Sequence, residues 1–306
     1  FYAVLTRSPA KAAVYPEALA FTYLNEALRN PAIDAVYVAS PVALHAEHTI
    51  ASLRAGKHVL CEKPVAMDYA QAKSMADVAR ESERLLGVAY YRRFYPKLIR
   101  ARQLIAEGAI GQPVLVEANC HGWLESPDRG WLKDPALAGG GPLYDVGSHR
   151  IDASNFLFGR PRRATGLLSN ALHELAVEDS ATALIEYAGG VHAVIDVRWN
   201  SRIARDQFRV IGSEGEISLD PLNGTTLRLL ASDGRLTEEQ LPAHANVHYP
   251  AVENFVAAVL DGVPLACSID EAIWTDWVTG QVKLAQSMQR KIASAIVDAG
   301  SPRSSV

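Results

Sequence analysis

Residues 55–64 read AGKHVLCEKP: a helix end, a short apolar strand, and a lysine held directly before a proline. Gly56 closes a helical pattern, and the apolar run that follows it is typical of a buried strand. A residue before proline is driven into extended backbone, so Lys63 cannot start a helix and is expected at the carboxyl edge of a sheet. Ligands of open α/β sheets bind at this edge. The stretch therefore predicts a ligand site that contains a fixed cation.

Short apolar runs alternate with helical patterns on both sides of this stretch, from residue 1 to residue 91. Strands are predicted at residues 2–6, 21–23, 35–39, 57–61 and 85–90, and helices from Ser8, at 24–29, at 44–55 and at 68–82. This alternation indicates βαβ units and a parallel, Rossmann-like sheet. We therefore expect residues 1–91 to form an α/β domain.

The pattern changes from residue 92 onwards, where one helix is followed by many strand-like runs. Strands are predicted at residues 114–121, 164–169, 180–187, 191–199, 207–211, 216–220 and 226–230, and helices at 97–107, 143–158, 251–260 and 269–289. Glycine-containing turns separate most of the strands, which is typical of a meandering, mostly antiparallel sheet. We expect residues 92–306 to form an α+β domain with one large sheet.

The composition excludes several classes of function. The 306 residues are 49% hydrophobic and 21% charged with a net charge of −4, which leaves no basic field for nucleic acid or an anionic membrane. No apolar run reaches the length of a membrane span. Cys61, Cys120 and Cys267 are scattered and form no CxxC pair, so we expect reduced thiols, no structural zinc and a cytoplasmic protein.

The end of the first strand, Thr6-Arg7-Ser8, bears on the choice of nucleotide. In a dinucleotide-binding sheet an acid at this place binds the adenosine ribose, whereas an arginine accommodates a 2′-phosphate. This chain has Arg7 between two hydroxyls and no acid, which favours NADP(H), with NAD(H) as the alternative. Arg7 could equally be a solvated side chain in the first turn of a helix.

Two further turns lie where predicted strands end. Ser40-Pro41 leads into a helix whose first turn contains His45, and free N–H groups at a helix N-terminus favour polar or anionic ligands. The alternative is a simple strand–helix turn. Glu62-Lys63 could supply a general acid/base lysine, since burial lowers a lysine pKa, or it could be a surface ion pair.

The glycine-rich stretch at residues 139–142 leads into a helix that contains Asp145, His149 and Asp152. These three lie at helical positions i, i+4 and i+7, so we expect them on one face. A carboxylate beside an imidazole can orient a hydroxyl and move its proton. The pair could also bind a metal, but no third ligand stands at a recognisable spacing, so no metal is predicted.

Taken together and in this order, these features resemble the Gfo/Idh/MocA family of nicotinamide-dependent sugar and polyol oxidoreductases. The resemblance covers nearly the whole chain and rests on residues 34–41, His45, residues 55–64, Arg93-Phe94 with Pro96, the glycine-rich start of the Asp145 helix, residues 212–215, and Tyr249 ahead of Phe255. It implies that residues 1–91 bind the dinucleotide, and that residues 92–306 bind the substrate and form oligomers.

The resemblance also implies roles for individual residues. Lys63, Asp145 and His149 would be the catalytic set. His149 ranks first as the proton carrier because the pKa of a histidine lies near neutrality, and Lys63 is the alternative, since the two roles differ among members of the family. Cofactor contacts would come from Thr6, Arg7, Ser8, Ser40, Pro41, His45, Glu62, Lys63, Arg93 and Tyr249. Substrate contacts would come from Lys63, Tyr91, Trp123, Trp131, Asp145 and His149.

Two departures from the family pattern qualify this reading. The asparagine that many relatives have shortly before the Arg-Phe pair is replaced here by residues 89–92, AYYR. The first strand and the Gly-x-Gly-x-x-Gly turn of the family are absent from the sequence and would lie immediately upstream of residue 1. We therefore expect this chain to be a fragment of a longer protein.

The function implied is hydride transfer between NADP(H) or NAD(H) and a secondary alcohol or ketone of a sugar, polyol or cyclitol. Two alternatives share the fold: a glycoside hydrolase that oxidises its substrate transiently with tightly held NAD, and a non-catalytic protein that senses dinucleotides. The antiparallel sheet forms dimer interfaces in this family, so a homodimer or homotetramer is expected.

Overall fold

The computed structural model describes residues 2–124 and 127–300. Its first part alternates strands and helices as the sequence predicts. The elements are β1 (Ala3–Leu5), α1 (Pro9–Ala12), β2 (Leu19–Phe21), α2 (Leu24–Arg29), β3 (Ala35–Val38), α3 (His45–Arg54), β4 (His58–Cys61), α4 (Tyr69–Glu81) and β5 (Leu86–Val88). Two side chains define helix starts, since Ser8 caps α1 and Asp68 caps α4 by accepting hydrogen bonds from backbone N–H groups.

The strands of this part form two small parallel sheets. β1 pairs with β2, while β3, β4 and β5 form a second sheet in that order, and β1 and β3 do not pair with each other. β2 lies two residues earlier than predicted. The core of the second sheet contains Leu53, Val59 and Met75, and it also includes Ile269 and Ala272 from the last helix of the chain. That helix therefore packs on both parts of the molecule.

The second part is built around one large sheet. Its elements are α5 (Pro96–Ala106), β6 (Pro113–Trp123), α6 (Pro135–Ala138), α7 (Ser148–Phe158), β7 (Arg163–Ser169), β8 (Ser180–Glu186), β9 (His192–Arg198), β10 (Asn200–Gly212), β11 (Gly215–Ser218), β12 (Thr226–Ala231), β13 (Leu236–Gln240), α8 (Tyr249–Asp261) and α9 (Ile269–Gly300). This part also has short 3₁₀ helices at Pro127–Lys133 and Ala188–Gly190 and a π-helical turn at Leu143–Gly147. Two further 3₁₀ helices lie at Val42–Leu44, in the first part, and at Tyr91–Phe94, where the two parts join.

The sheet has eight strands in the order β13-β12-β11-β10-β6-β9-β8-β7. Only the β6–β9 pairing is parallel, so the prediction of a mostly antiparallel sheet is confirmed. The sequence analysis did not predict β13, because its sequence LTEEQ is polar and it lies at an exposed edge. The inner face, which includes Val116, Ile195 and Val197, packs against α7 and α9 and forms the larger core.

The outer face of this sheet is open to solvent and partly apolar. Leu167 and Leu184 are exposed on it, and a groove of about 560 Å³ is lined by residues of β6, β7, β8 and β9, among them Leu115 and Val194. None of the helices among the described residues combines the length and the apolar character needed to cross a membrane.

Candidate active site

Lys63 and Asp145 are in direct contact although 82 residues separate them in the sequence. The Lys63 Nζ lies 3.2 Å from Asp145 Oδ1 and donates a second hydrogen bond, 3.0 Å long, to the Asp145 backbone carbonyl. The two side chains keep 15% and 20% of their surface exposed. Lys63 stands just after β4, so the cation lies at the carboxyl edge of the sheet, where the sequence predicts it.

The segment that presents Asp145 is a π-helical turn, Leu143–Gly147, which precedes α7. π turns are rare, and they occur frequently at functional sites. Glycine is required just before the turn, because a Cβ on Gly141 would lie 2.0 Å from the backbone oxygen of Glu178. The carboxylate of Glu178 also accepts a hydrogen bond from the Leu143 N–H. Residues next to the sheet therefore anchor the turn on which Asp145 stands.

The expectation of one regular helix face for Asp145, His149 and Asp152 is wrong, because Asp145 stands on the π turn while His149 and Asp152 stand on α7. The side chain of Asp152 has a separate partner. Asp152 is buried and accepts hydrogen bonds of 3.0 and 2.8 Å from the Nε and Nη2 atoms of Arg93. Arg93 also binds Glu271 at the start of α9. The buried side chain of Arg93, predicted to contact the cofactor, is therefore engaged by buried Asp152 and exposed Glu271.

His149 is buried beside the Lys63–Asp145 pair. Its ring lies edge-on to the rings of Tyr90 and Tyr91, with centroid distances of 6.0 and 5.1 Å. Burial holds the pKa of His149 well below its usual value, and the nearby charges of Lys63 and other cations lower it further. The expectation of a near-neutral pKa is therefore wrong, because the sequence does not reveal this burial. Within the described residues, the buried Nδ1 has no hydrogen-bond partner.

Glu62 forms a second polar group next to this site. Its carboxylate accepts a hydrogen bond from the Tyr37 hydroxyl and one of 3.1 Å from the Lys63 backbone N–H. Its Oε1 also lies 4.0 Å from Nδ1 of His248, whose ring packs on Tyr91 at a centroid distance of 4.3 Å. The sequence analysis missed Tyr37 and His248. Tyr37 reads as an ordinary strand residue, and the only pointer to His248 is its neighbour Tyr249.

His45, predicted to line the cofactor, holds two strand ends together. Its two ring nitrogens lie 2.8 Å from the Ser40 carbonyl oxygen and 2.9 Å from the Pro64 carbonyl oxygen. A carbonyl only accepts hydrogen bonds, so a neutral ring can satisfy one of them at a time. Burial lowers the pKa of His45, which favours that neutral ring. Ser40 keeps its hydroxyl 3.2 Å from the Nδ1 of His48.

The remaining predicted residues lie in several places. Arg7 is exposed between Thr6, whose hydroxyl accepts from the Ser8 N–H, and Ser8, which caps α1. Pro41 immediately precedes the 3₁₀ turn Val42–Leu44 and leads into α3. The other predicted aromatic residues fall elsewhere. Exposed Tyr249 stacks on His244 and donates to Glu253, half-buried Trp123 packs on His173 and below Arg202, and exposed Trp131 lies in the turn Pro127–Lys133.

A metal site does not account for this arrangement in the described part of the chain, where no three His, Cys, Asp or Glu side chains are grouped to hold an ion. The arrangement instead offers hydrogen-bond donors and acceptors. Lys63 Nζ has three N–H groups, of which two bind Asp145, so one is left for a ligand oxygen. The site can therefore bind and orient an oxygen atom.

The small parallel sheets followed by one large, mostly antiparallel sheet form a Rossmann-like domain with an α+β domain after it. A family profile described as an oxidoreductase family with an NAD-binding Rossmann fold matches residues 2–90. A second profile, the GFO/IDH/MocA C-terminal domain, matches residues 98–218. The chain belongs to the Gfo/Idh/MocA family of oxidoreductases, and both the resemblance and the fold class predicted from the sequence are confirmed.

Several relatives with named activities act on sugars, and others are named as trans-1,2-dihydrobenzene-1,2-diol dehydrogenases. The chain is 32% identical over 263 residues to 1,5-anhydro-D-fructose reductase of Ensifer adhaerens, covering 83% of this chain and 78% of that protein. It is 30% identical over 211 residues to D-xylose 1-dehydrogenase [NADP(+)] of Haloarcula marismortui, with 67% and 58% coverage. The structure of levoglucosan dehydrogenase in complex with NADH and levoglucosan shares the fold, with a TM-score of 0.85, 22% identity, and coverage of 94% and 88%.

Proposed function

We propose that this protein transfers a hydride between a nicotinamide dinucleotide and a secondary alcohol or ketone of a sugar, polyol or cyclitol. The observation that carries the proposal is the contact of Lys63 with Asp145 beside a buried His149, at the carboxyl edge of a parallel sheet. The names of the relatives support a sugar as substrate. We propose residues 1–91 as the dinucleotide-binding domain and residues 92–306 as the substrate-binding domain, whose last six residues lie outside the described range.

The residues at the sheet edge fit the nicotinamide end of such a cofactor. The carboxylate of Glu62 is a suitable acceptor for ribose hydroxyls, and Ser40 and Pro41 line the neighbouring strand end. When bound, the nicotinamide accepts or supplies the hydride. Arg7 is exposed beside two hydroxyls, which suits a 2′-phosphate and favours NADP(H) over NAD(H). One relative is named for NADP(+), and another is in complex with NADH.

Lys63 is the group we propose to move the proton. Its ammonium is held by Asp145 through two hydrogen bonds, and the third N–H can point to the substrate oxygen. In the reducing direction the ammonium of Lys63 gives a proton to the carbonyl oxygen and becomes a neutral amine, and in the oxidising direction the neutral amine takes up the hydroxyl proton. Asp145 orients the lysine throughout. This assignment ranks Lys63 above His149, in contrast to the expectation from the sequence.

His149 is proposed as the neutral hydrogen-bonding partner of the same oxygen. Because its pKa lies well below the usual value, the imidazole stays uncharged at neutral pH. A neutral ring orients a hydroxyl without competing with Lys63 for the negative charge that develops on oxygen. Tyr91, whose ring packs on His149, is proposed as one wall of the sugar site.

The open face of the large sheet is proposed as the interface of a homodimer or homotetramer. Exposed apolar side chains such as Leu167 and Leu184 lie on this face, and the groove beside them is lined mainly by apolar atoms of four strands. Light scattering of the full chain should give the mass of two or four subunits. A monomer at micromolar concentration would contradict this part of the proposal.

The test of the proposed function is cofactor-coupled turnover with a panel of aldoses, anhydrosugars and cyclitols. We expect net change at the nicotinamide absorbance band with at least one of them, and about tenfold preference for NADP(H), which corresponds to about 1.4 kcal/mol. Release of sugar from a glycoside without net absorbance change would favour the hydrolase alternative. Cofactor binding without turnover of either kind would favour a sensor.

A further inference from the structure

His248 occupies a defined place at the mouth of the proposed site. It immediately precedes α8, and its backbone N–H donates to the side chain of Asn246 at 3.1 Å while its carbonyl accepts from Ala251. These contacts fix the backbone from which the ring projects. The ring packs on Tyr91, and 45% of the side chain stays exposed. A residue so placed can meet a ligand that lies against Tyr91.

The surroundings of the ring determine which of its atoms is free. Nδ1 faces the carboxylate of Glu62 at 4.0 Å. A carboxylate accepts but does not donate, so the proton of the neutral ring is favoured on Nδ1, and Nε2 then carries a lone pair. Within the described residues Nε2 takes part in no hydrogen bond. The ring therefore presents a fixed, unused acceptor at an accessible position.

Tyr91 connects this acceptor to the reacting groups. The same tyrosine ring contacts His149 and His248, so the two histidines flank one aromatic surface. Aromatic rings pack well against the C–H face of a sugar, and the surrounding polar groups then meet its hydroxyls.

We propose that His248 binds a second hydroxyl of the substrate, one that is not oxidised, by accepting its hydrogen bond at Nε2. The proposal rests on the proposed function and narrows its substrate class. Substrates would carry at least two hydroxyls, one held by Lys63 and His149 and another held by His248. Monohydroxy alcohols and their ketones would be poor substrates, because they lack the hydroxyl that pairs with the acceptor of His248.

The test compares kcat/KM for a sugar and its deoxy derivatives in the wild type and in a variant of His248. The best sugar of the panel is compared with its monodeoxy derivatives in the wild type and in His248→Phe, which keeps a ring against Tyr91 but removes both nitrogens. In the wild type, one deoxy derivative should lose about tenfold in kcat/KM, as expected for one hydrogen bond. In His248→Phe the parent sugar should fall by the same factor, and that deoxy derivative should not fall further.

Two more variants separate recognition from packing. His248→Gln, which keeps a hydrogen-bonding side chain, should restore part of the preference for the parent sugar. His244→Phe perturbs the same segment without removing the proposed acceptor, since His244 stacks on Tyr249 and accepts from the Asn246 N–H, and it should leave the preference for the parent sugar over the deoxy derivative unchanged. We expect the loss in His248→Phe mainly in KM, because the hydrogen bond forms in the ground state as well as in the transition state.

Equal losses for the parent sugar and every deoxy derivative in His248→Phe would overturn the proposal, and so would no loss at all. Either result would leave the proposed function standing, because hydride transfer by the wild type is measured in the same experiment. Absence of transfer from all sugars in the wild type would instead refute the proposed function itself.

Discussion

Two ion pairs join residues that follow the parallel strands β4 and β5 to the helical segment at residues 143–158, and they differ in burial. Lys63, just after β4, pairs with Asp145, and both side chains are partly exposed. Arg93, which follows β5, pairs with Asp152, and both are almost completely buried at 2% and 1% exposure. Each pair spans a junction between sheet edge and helix. The two pairs have similar positions in the fold but differ in solvent exposure.

The difference shows which pair is available for chemistry. The guanidinium of Arg93 uses its Nε and Nη2 atoms on Asp152 and its Nη1 on Glu271, so its fork is filled by protein acceptors. Lys63 keeps one N–H and an open side towards solvent. The Arg93–Asp152 pair therefore holds elements of the fold together, while the partly exposed Lys63–Asp145 pair holds a reactive group in place. A structural role for the first pair and a catalytic role for the second lead to different expected effects of substitution.

The largest effect is expected for Lys63→Met. If Lys63 moves the proton, kcat should fall by about 10²- to 10⁴-fold, the usual contribution of a general acid/base. The free energy of unfolding should change by about 1 kcal/mol or less, because the pair is partly exposed. Turnover and urea denaturation of the same preparations measure both quantities. Lys73→Met, which removes an exposed i,i+4 pair with Asp77, is the control and should change neither quantity appreciably.

The next effect is expected for Arg93→Met. The substitution leaves Asp152 buried without a cation, and breaking a buried pair in this way costs about 3–5 kcal/mol of unfolding free energy. Arg80→Met, whose partners Asp77 and Asp270 are exposed, should cost about 0–1 kcal/mol. The folded fraction of Arg93→Met should retain its cofactor affinity. A loss of cofactor affinity with full stability would restore the role first predicted for Arg93.

A moderate effect is expected for Gly141→Ala. The new methyl would meet the Glu178 carbonyl at 2.0 Å, so the backbone before the π turn must move. Overpacking of this kind costs about 1–3 kcal/mol, and the shift should also lower kcat because Asp145 stands on the turn. Gly122→Ala is the control, since a Cβ there meets nothing within 4 Å. Unchanged stability in Gly141→Ala would show that the turn is not anchored by this close approach.

The smallest effect concerns pH. The folded state keeps the pKa of His149 below that of the unfolded chain, so the unfolded state binds a proton first as the pH falls below about 6.5. Stability is thus lost on acidification, by at most about 1.4 kcal/mol per pH unit for this group. His149→Asn lacks this titrating group, so the unfolding free energy of the variant should depend less on pH. The difference in unfolding free energy between wild type and variant should therefore shrink as the pH falls from 7 to 5. Parallel curves for the two proteins would contradict the assignment of a neutral, buried ring.

The sequence alone predicts the features of the fold and site that depend on hydrophobic periodicity and on the residues at strand ends. Lys63 was expected at the carboxyl edge because a buried strand precedes it and a proline follows, and its proximity to Asp145 follows from the family resemblance. The sequence does not distinguish a cofactor-binding Arg93 from a buried structural one, because a motif does not reveal whether Asp152 or a ligand contacts the guanidinium. The π turn and His248 were missed because both depend on tertiary contacts that leave no periodic signal.

The most direct test of the division between the two pairs is a double-mutant cycle on each, measured in both unfolding free energy and kcat. For Lys63→Met and Asp145→Asn, the account predicts strong coupling in kcat, so that the double variant is no slower than Lys63→Met, and coupling within about 1 kcal/mol in stability. For Arg93→Met and Asp152→Asn it predicts the reverse. Coupling of the Lys63–Asp145 pair in unfolding free energy alone, with additive effects on kcat, would contradict a catalytic role for this pair.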